Sequence, residues 1–463
     1  MGRRRTGGRH ECVMPGCLGG IRMIKRFIFT LAALALLSAS AVEAQPIHMT
    51  ISGPGATAAP IAVSDLKNLG GDDQSTVSHD FVRILRRDLD LSGFFSIIPP
   101  KSYIEDPQNS GYDLGTFNFA DWNSLNAEFL VKGAVTVSGG QVSLEALLFD
   151  VAQQRRMFGT RFTGGPGDVA QMARRFADSV LKAITGVKGP FNTRIAFVST
   201  RGGRFKEIYF AAPDGGSLYR VTDNPTINLF PQLAHSAAGV LYLSYKTGVP
   251  ALYLFDVASR TETRIESPKG NVIGGTLTPD GSRIVAAVEQ AGHTNLYLLD
   301  RSGGEIRELT QGRAINVNPA VSADGRQLAF TSDRSGSPQI YVMSLSGGPA
   351  RRVTYKGNYN TSPSFSPDGK WIAYQSRSGG FNIFIIRATG GQPVQLTQEA
   401  GSNQSPCWSP DGRYLLFSST RGGHERLYLM QVNTQSQTGK VISALMEDEG
   451  NDSSPTWSWW LGG

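Results

Sequence analysis

Six side chains recur at a spacing that could do chemistry. Asn228, Asn271, Asn316, Asn360, Asn403 and Asp452 each stand three residues before the proline, or its equivalent, that opens an apolar strand. Five amides and one carboxylate at equivalent places would form a hydrogen-bonding ring, suited to receiving a loop or helix end of another protein. Asn at such a place also serves turns and left-handed backbone, and the two roles are compatible. Asp280, Asp324, Asp368 and Asp411 recur too, the last three and the first alike followed by Gly. A tight reversal demands that pair, so turn chemistry explains these carboxylates better than a ring of acids does. Catalytic patterns are missing: there is no Gly-x-Ser-x-Gly, no phosphate-cradling Gly-x-x-x-x-Gly-Lys-Ser/Thr, no His-Glu-x-x-His and no dinucleotide fingerprint. The histidines are scattered. A non-enzyme without metal or cofactor is expected.

The elements that must position the ring form an internal repeat, which constrains a fold more than any single motif. Apolar triplets ending at Phe197, Leu243, Ala286, Phe330, Tyr374 and Phe417 mark six copies of about 44 residues. Each copy reads as a strand with a Ser/Thr-x-Asp-Gly type turn, the triplet strand, and a second turn such as Thr200-Arg-Gly-Gly203 or Asp333-Arg-Ser-Gly336. A third alternating strand follows, then an outer strand ending Val221-Thr222, Leu309-Thr310, Val353-Thr354 or Leu396-Thr397. Four antiparallel strands per copy make a propeller blade. The first copy lacks its innermost strand, and residues 454–458 (SPTWS) match 405–409 (SPCWS) with nothing after them to pair. The last residues are therefore expected to complete the first blade. Arg201, Arg334, Arg377 and Arg421, on the second turns, should surround the same channel mouth as the ring.

Ahead of the repeat, residues 45–186 read as a small α/β domain. Strands are expected over 60–64, 94–98, 129–137, 141–151 and 156–162, and helices over 79–91, 120–125 and 169–184. Residues 187–193 form a linker and 194–463 the propeller. The fold class is thus an α/β N-terminal domain followed by an all-β six-bladed β-propeller.

Charge divides unevenly. The chain has 45 Lys+Arg against 38 Asp+Glu, a formal +7. Seven of the basic residues and only two acids lie in the first 44 positions, where Lys25-Arg26, an apolar run over 27–37 and Val42-Glu43-Ala44 have the layout of a secretory signal peptide. Cleavage is expected between Ala44 and Gln45, with residues 1–22 an upstream extension. The apolar run is too short to span a bilayer, which needs about 20 residues. What remains carries 38 basic and 36 acidic side chains, close to neutral, which removes the support for a nucleic-acid partner. Its one cysteine, Cys407, permits no intrachain disulfide.

The junction 184–197 (ITGVKGPFNTRIAF), the repeated Ser-Pro-Asp-Gly blades, the stretch 331–341 (TSDRSGSPQIY) and the exported α/β-then-propeller order closely resemble the TolB family of the Tol-Pal cell-envelope system. The resemblance implies a periplasmic, monomeric, non-enzymatic adaptor supporting outer-membrane integrity and constriction during division. It implies that the propeller mouth binds the peptidoglycan-associated lipoprotein Pal through Asn228, Gly270, Asn271, Asn316, Val317, Asn318, Asn360, Asn403 and Asp452. The family pattern has histidine and threonine where this chain has Gly270 and Val317. The mature N-terminus, here Gln45, Pro46, Ile47, His48, Met49, Thr50 and Ile51, is implied to engage TolA. That segment is apolar and β-branched, compatible with adding a strand to a partner sheet. Other outer-membrane lipoproteins are further candidate partners. The alternatives are a propeller accessory to a peptidase and a propeller that binds a glycan or other small ligand.

Overall fold

A computed structural model describes residues 58–71, 75–267, 269–377, 379–398, 401–446 and 450–462. The signal peptide, the Ala44/Gln45 cleavage point and the segment Gln45 to Ile51 lie outside the described residues.

The first part is a mixed sheet with helices on both faces. Strands β1 (Ala59–Val63), β2 (Lys67–Gly71), β3 (Phe95–Ile97), β4 (Phe129–Ser138), β5 (Gln141–Asp150) and β6 (Arg155–Gly164) form it in the order β3-β1-β4-β5-β6. β1 runs parallel to β3 and β4, and β2 runs parallel to β4 further along. β4, β5 and β6 form an antiparallel meander. β2 was invisible in the sequence, since Lys-Asn-Leu-Gly-Gly has neither alternation nor β-branched residues. Helices α1 (Ser75–Leu91) and α3 (Val169–Thr185) pack together on one face, with Phe81 and Phe176 in contact, and the short α2 (Phe119–Asn123) buries Trp122 on the other. α3 stops at Gly186, whose φ of 79° closes the last turn.

The repeat forms six four-stranded antiparallel sheets. Their inner strands are Asn228–Leu233, Asn271–Leu277, Asn316–Val321, Asn360–Phe365, Asn403–Trp408 and Asp452–Trp457. The last of these pairs with Ile195–Ser199, so the first blade combines the two ends of the repeat region. Trp457 is buried and its indole N–H donates to Thr193 Oγ1 at 2.7 Å. Trp460 donates to the Gly189 carbonyl at 2.6 Å. Burial with a partner for each N–H is what such large amphipathic rings need. The Ser/Thr-x-Asp-Gly turns are held by hydroxyl-to-carboxylate bonds, Thr278 to Asp280, Ser322 to Asp324, Ser366 to Asp368 and Ser409 to Asp411. At Asp280 these donors hold the carboxyl down at about 2.

The α/β domain and the propeller share one apolar core. Residues of α1, α3 and the sheet join Tyr209, Tyr414, Leu429 and Leu445 of the first and last blades in a single buried cluster. Tyr414 Oη donates to the Ser92 carbonyl at 2.7 Å, and Arg174 pairs with Asp214 at 3.0 Å with both side chains buried.

Candidate functional site

The ring residues are the first residues of the six inner strands, so they stand around one end of the channel. Five do not present their side chains to solvent there: Asn228, Asn316, Asn360 and Asn403 are completely buried and Asp452 nearly so. A ring of six solvent-facing groups, as the sequence suggested, is therefore corrected to one exposed amide, Asn271, and five groups inside the wall.

Four of the buried amides each stitch their blade to the one before it. Asn316 Nδ2 donates to the Thr294 carbonyl at 2.8 Å and to Asn295 Oδ1 at 3.2 Å, and Thr310 Oγ1, at the end of the outer strand, donates to the same Asn295 oxygen at 3.1 Å. Thr310 Oγ1 in turn accepts from the Leu296 N–H at 2.8 Å. Asn360 meets Gln339 and Thr354 in the same way, at 2.8 and 2.7 Å. Asn228 does so with Glu207 and Thr222, and Asn403 with Asn382 and Thr397. The terminal threonines seen in the sequence thus belong to the same device as the asparagines. Each closes a buried network in which a lone amide would otherwise be costly.

Three arginines of the second turns lock the ring from above. Arg201, Arg334 and Arg421 donate to Asp452 Oδ2 at 2.6 Å, Asn316 Oδ1 at 2.8 Å and Asn403 Oδ1 at 2.8 Å. Each also bonds a serine hydroxyl (Ser199, Ser332, Ser419) and lies over two aromatic rings of its own blade. Arg377 is exposed and takes no such place, because the fifth blade has serine, residue 378, at the equivalent position.

Around this layer the rim carries exposed apolar side chains among exposed charged ones such as Arg313, Arg334 and Lys356. Ile227, Ile315 and Tyr359, each immediately before a ring asparagine, are 46%, 46% and 37% exposed, and Tyr355 is 71% exposed. Tyr245, which follows a second strand, opens on the same end. Exposed apolar side chains gathered at one mouth make it a candidate docking surface. The sequence carries a signal for it, an apolar or aromatic residue next to each of three ring amides.

Immediately inside the rim, Phe230, Asn318, Ser362, Ser405 and Ser454 hold φ between 50° and 55°, each before a proline and each at a bulge in the inner strand. Left-handed backbone in non-glycine residues carries strain that the closed ring must maintain. Asn318 and Val317 line the channel. Gly270, with φ 154°, fits where a Cβ would come within 2.2 Å of the Glu289 carbonyl, so no side chain can occupy that position without displacing backbone. Among the described residues there is no cluster of His, Cys, Asp and Glu that could hold a metal, and no helix long and apolar enough to cross a membrane.

Among the described residues, a small α/β domain joins a six-bladed propeller through a shared apolar core, which defines the class as an α/β-plus-propeller protein. Residues 181–461 match the TolB beta propeller domain and residues 47–157 the TolB amino-terminal domain, and the chain belongs to the TolB family. It is 37% identical over 290 residues to the Tol-Pal system protein TolB of Desulfosudis oleivorans, covering 62% of this chain and 66% of that one. Against the Tol-Pal system protein TolB of Syntrophotalea carbinolica it is 36% identical over 218 residues, 47% of this chain and 50% of the relative. The chain thus spans about half to two thirds of the length of these curated relatives. The crystal structure of TolB from Acinetobacter baumannii superposes with a TM-score of 0.72 at 25% identity, covering 87% of this chain and 96% of that one.

Proposed function

We propose that this chain is a non-enzymatic adaptor of the Tol-Pal system, exported to the periplasm, whose propeller mouth receives Pal and whose mature N-terminal residues 45–51 are taken up by TolA. In that role it supports outer-membrane integrity and constriction during division as a monomer. The observation that carries the reading is the set of exposed apolar side chains Ile227, Ile315, Tyr355 and Tyr359 at the mouth, above the buried ring residues. Aromatic and aliphatic anchors on a rigid base are what a protein interface concentrates its energy on. The exposed Asn271 and the channel-edge Val317 and Asn318 supply direct contacts in this reading. Gly270 offers only backbone. Asn228, Asn316, Asn360, Asn403 and Asp452 act from beneath, holding the strands that present the rim.

The test is a calorimetric titration of the soluble domain of Pal into the full chain and into the Tyr355→Ala/Tyr359→Ala variant. A loss of affinity of about tenfold or more with unchanged melting is expected, since buried aromatic anchors are worth 2 kcal/mol or more. Equal affinities would remove the rim from the interface. A parallel titration of TolA against a chain lacking residues 45–51 should show binding abolished.

A further inference from the structure

Behind the rim the inner strands enclose a cavity of about 460 Å³. Its wall contains no Lys, Arg, Asp or Glu. The two titratable groups in it are uncharged at neutral pH, because burial pushes the His235 imidazole down to about 4 and pushes the Cys407 thiol up. The polar groups of the wall are amides and hydroxyls, and many of them are unspent. The side chains of Gln232, Asn318, Ser362, Ser364, Ser405 and Ser454 make no hydrogen bond to any described residue, whereas nearby Ser366 and Ser409 are committed to their turns. At the far end the Trp459 indole stacks on His235, with centroids 4.7 Å apart and planes 11° from parallel, and both rings line the cavity, so an aromatic pair borders it there.

These features select a ligand. An ion would give up its hydration with no opposite charge to replace it. A purely apolar ligand would leave half-buried hydroxyls and amides without water or partner. A neutral sugar matches both parts of the wall, since its ring edge carries hydroxyls that donate and accept, and its C–H face lies on the negative face of an aromatic plane. A peptide main chain offers similar donors and acceptors but no such flat face. We propose that the propeller channel binds a neutral oligosaccharide, with the serine hydroxyls on the sugar edges and the His235–Trp459 pair under one ring. The inference does not depend on which protein docks at the rim.

Trp408, Trp457 and Trp459 line the cavity, so occupancy can be followed by intrinsic fluorescence. The full chain is titrated with triacetylchitotriose, maltotriose and, as the rival class, an uncharged Gly-Ser repeat peptide, with calorimetry alongside. Saturable binding of at least one trisaccharide with a Kd of about 1 mM or tighter is expected. It should weaken about tenfold in Ser362→Ala/Ser405→Ala at unchanged melting temperature. No saturable response to either sugar in the unmodified chain overturns the proposal, whether or not the variant folds. So does sugar binding that the double variant leaves intact, or binding of the peptide alone.

Discussion

The junction between the third and fourth blades and the junction between the second and third carry the same residue at the same place and are built on different physics. At the former, Asn316 is buried and joined to Asn295, Thr310 and Arg334. At the latter, Asn271 is exposed and has only Glu289 near, at 3.4 Å. The second blade offers Ala251 where the first, third, fourth and fifth place Glu207, Asn295, Gln339 and Asn382, and its outer strand ends at Ile265 without a following threonine. Leu252, Ile265, Val272 and Ile284 instead form an apolar cluster across that boundary. A recurring residue type does not guarantee a recurring role. What decides is whether the partners on the preceding blade recur with it.

The comparison is bounded by the closing junction, where the two ends of the propeller meet. Trp457→Ala removes a buried ring and the indole bond to Thr193, and should cost roughly 3–5 kcal/mol in denaturant unfolding. A loss below about 1 kcal/mol would mean that closure contributes no more than one interior stitch.

A third kind of boundary, between the α/β domain and the propeller, uses buried acids. Burial pushes the carboxyl of Asp178 up to about 8 against the opposing pull of the Phe191 and Asn192 N–H donors and of Lys188, with Asp411 nearby. Asp88 is also raised well above its ordinary value, by burial and by Asp214 and Asp178, against Arg174 and Arg87. The folded chain therefore keeps protons that the unfolded chain releases above about pH 4. Between there and about pH 8 the folded state binds more protons, so stability is full at the acid end of that window and falls as pH rises, by about 1.4 kcal/mol per unit for each such proton. Melting should drop between pH 5.5 and 8, and Asp178→Asn should flatten the slope. A melting temperature that climbs across this range would contradict the assignment.

Next in size are the interior stitches. Asn316→Ala leaves the Thr294 carbonyl without its partner inside the wall and removes the acceptor of the exposed Arg334, and should destabilise by about 1–3 kcal/mol. Asn360→Ala should cost less, because no arginine is bonded to it. Equal losses would show that the arginine layer contributes nothing to the stitch.

Much of this was readable before any coordinates. The 44-residue period, the Asp-Gly turns, and the match of 454–458 to 405–409 follow from local turn chemistry and strand alternation, which leave strong marks in sequence. The burial of Asn316 was not readable from that residue, because it depends on a carbonyl 22 positions earlier and an amide 21 positions earlier. Yet the partner threonines were in view: every blade that ends in Val/Leu-Thr is followed by a buried asparagine; of the two that do not, the second is followed by the exposed one and the sixth by Asp452, which is buried against Arg201 instead. The rim escaped notice because Ile227, Ile315 and Tyr359 look like ordinary strand residues until the sheet geometry turns them outward. β2 escaped because its strand character comes wholly from pairing with β4.

The smallest predicted effect on stability separates the two readings of the ring most cleanly. Asn271→Ala should change unfolding by no more than about 0.5 kcal/mol, as an exposed side chain with one long contact should. If Asn271 touches Pal in the way proposed above, the same variant weakens Pal binding while leaving melting untouched, the reverse of what Asn316→Ala does. A stability loss comparable to that of Asn316→Ala would mean that the apolar boundary between the second and third blades still depends on its asparagine. The difference between the two junctions would then be one of degree, and the exposed amide could no longer be treated as free for a partner.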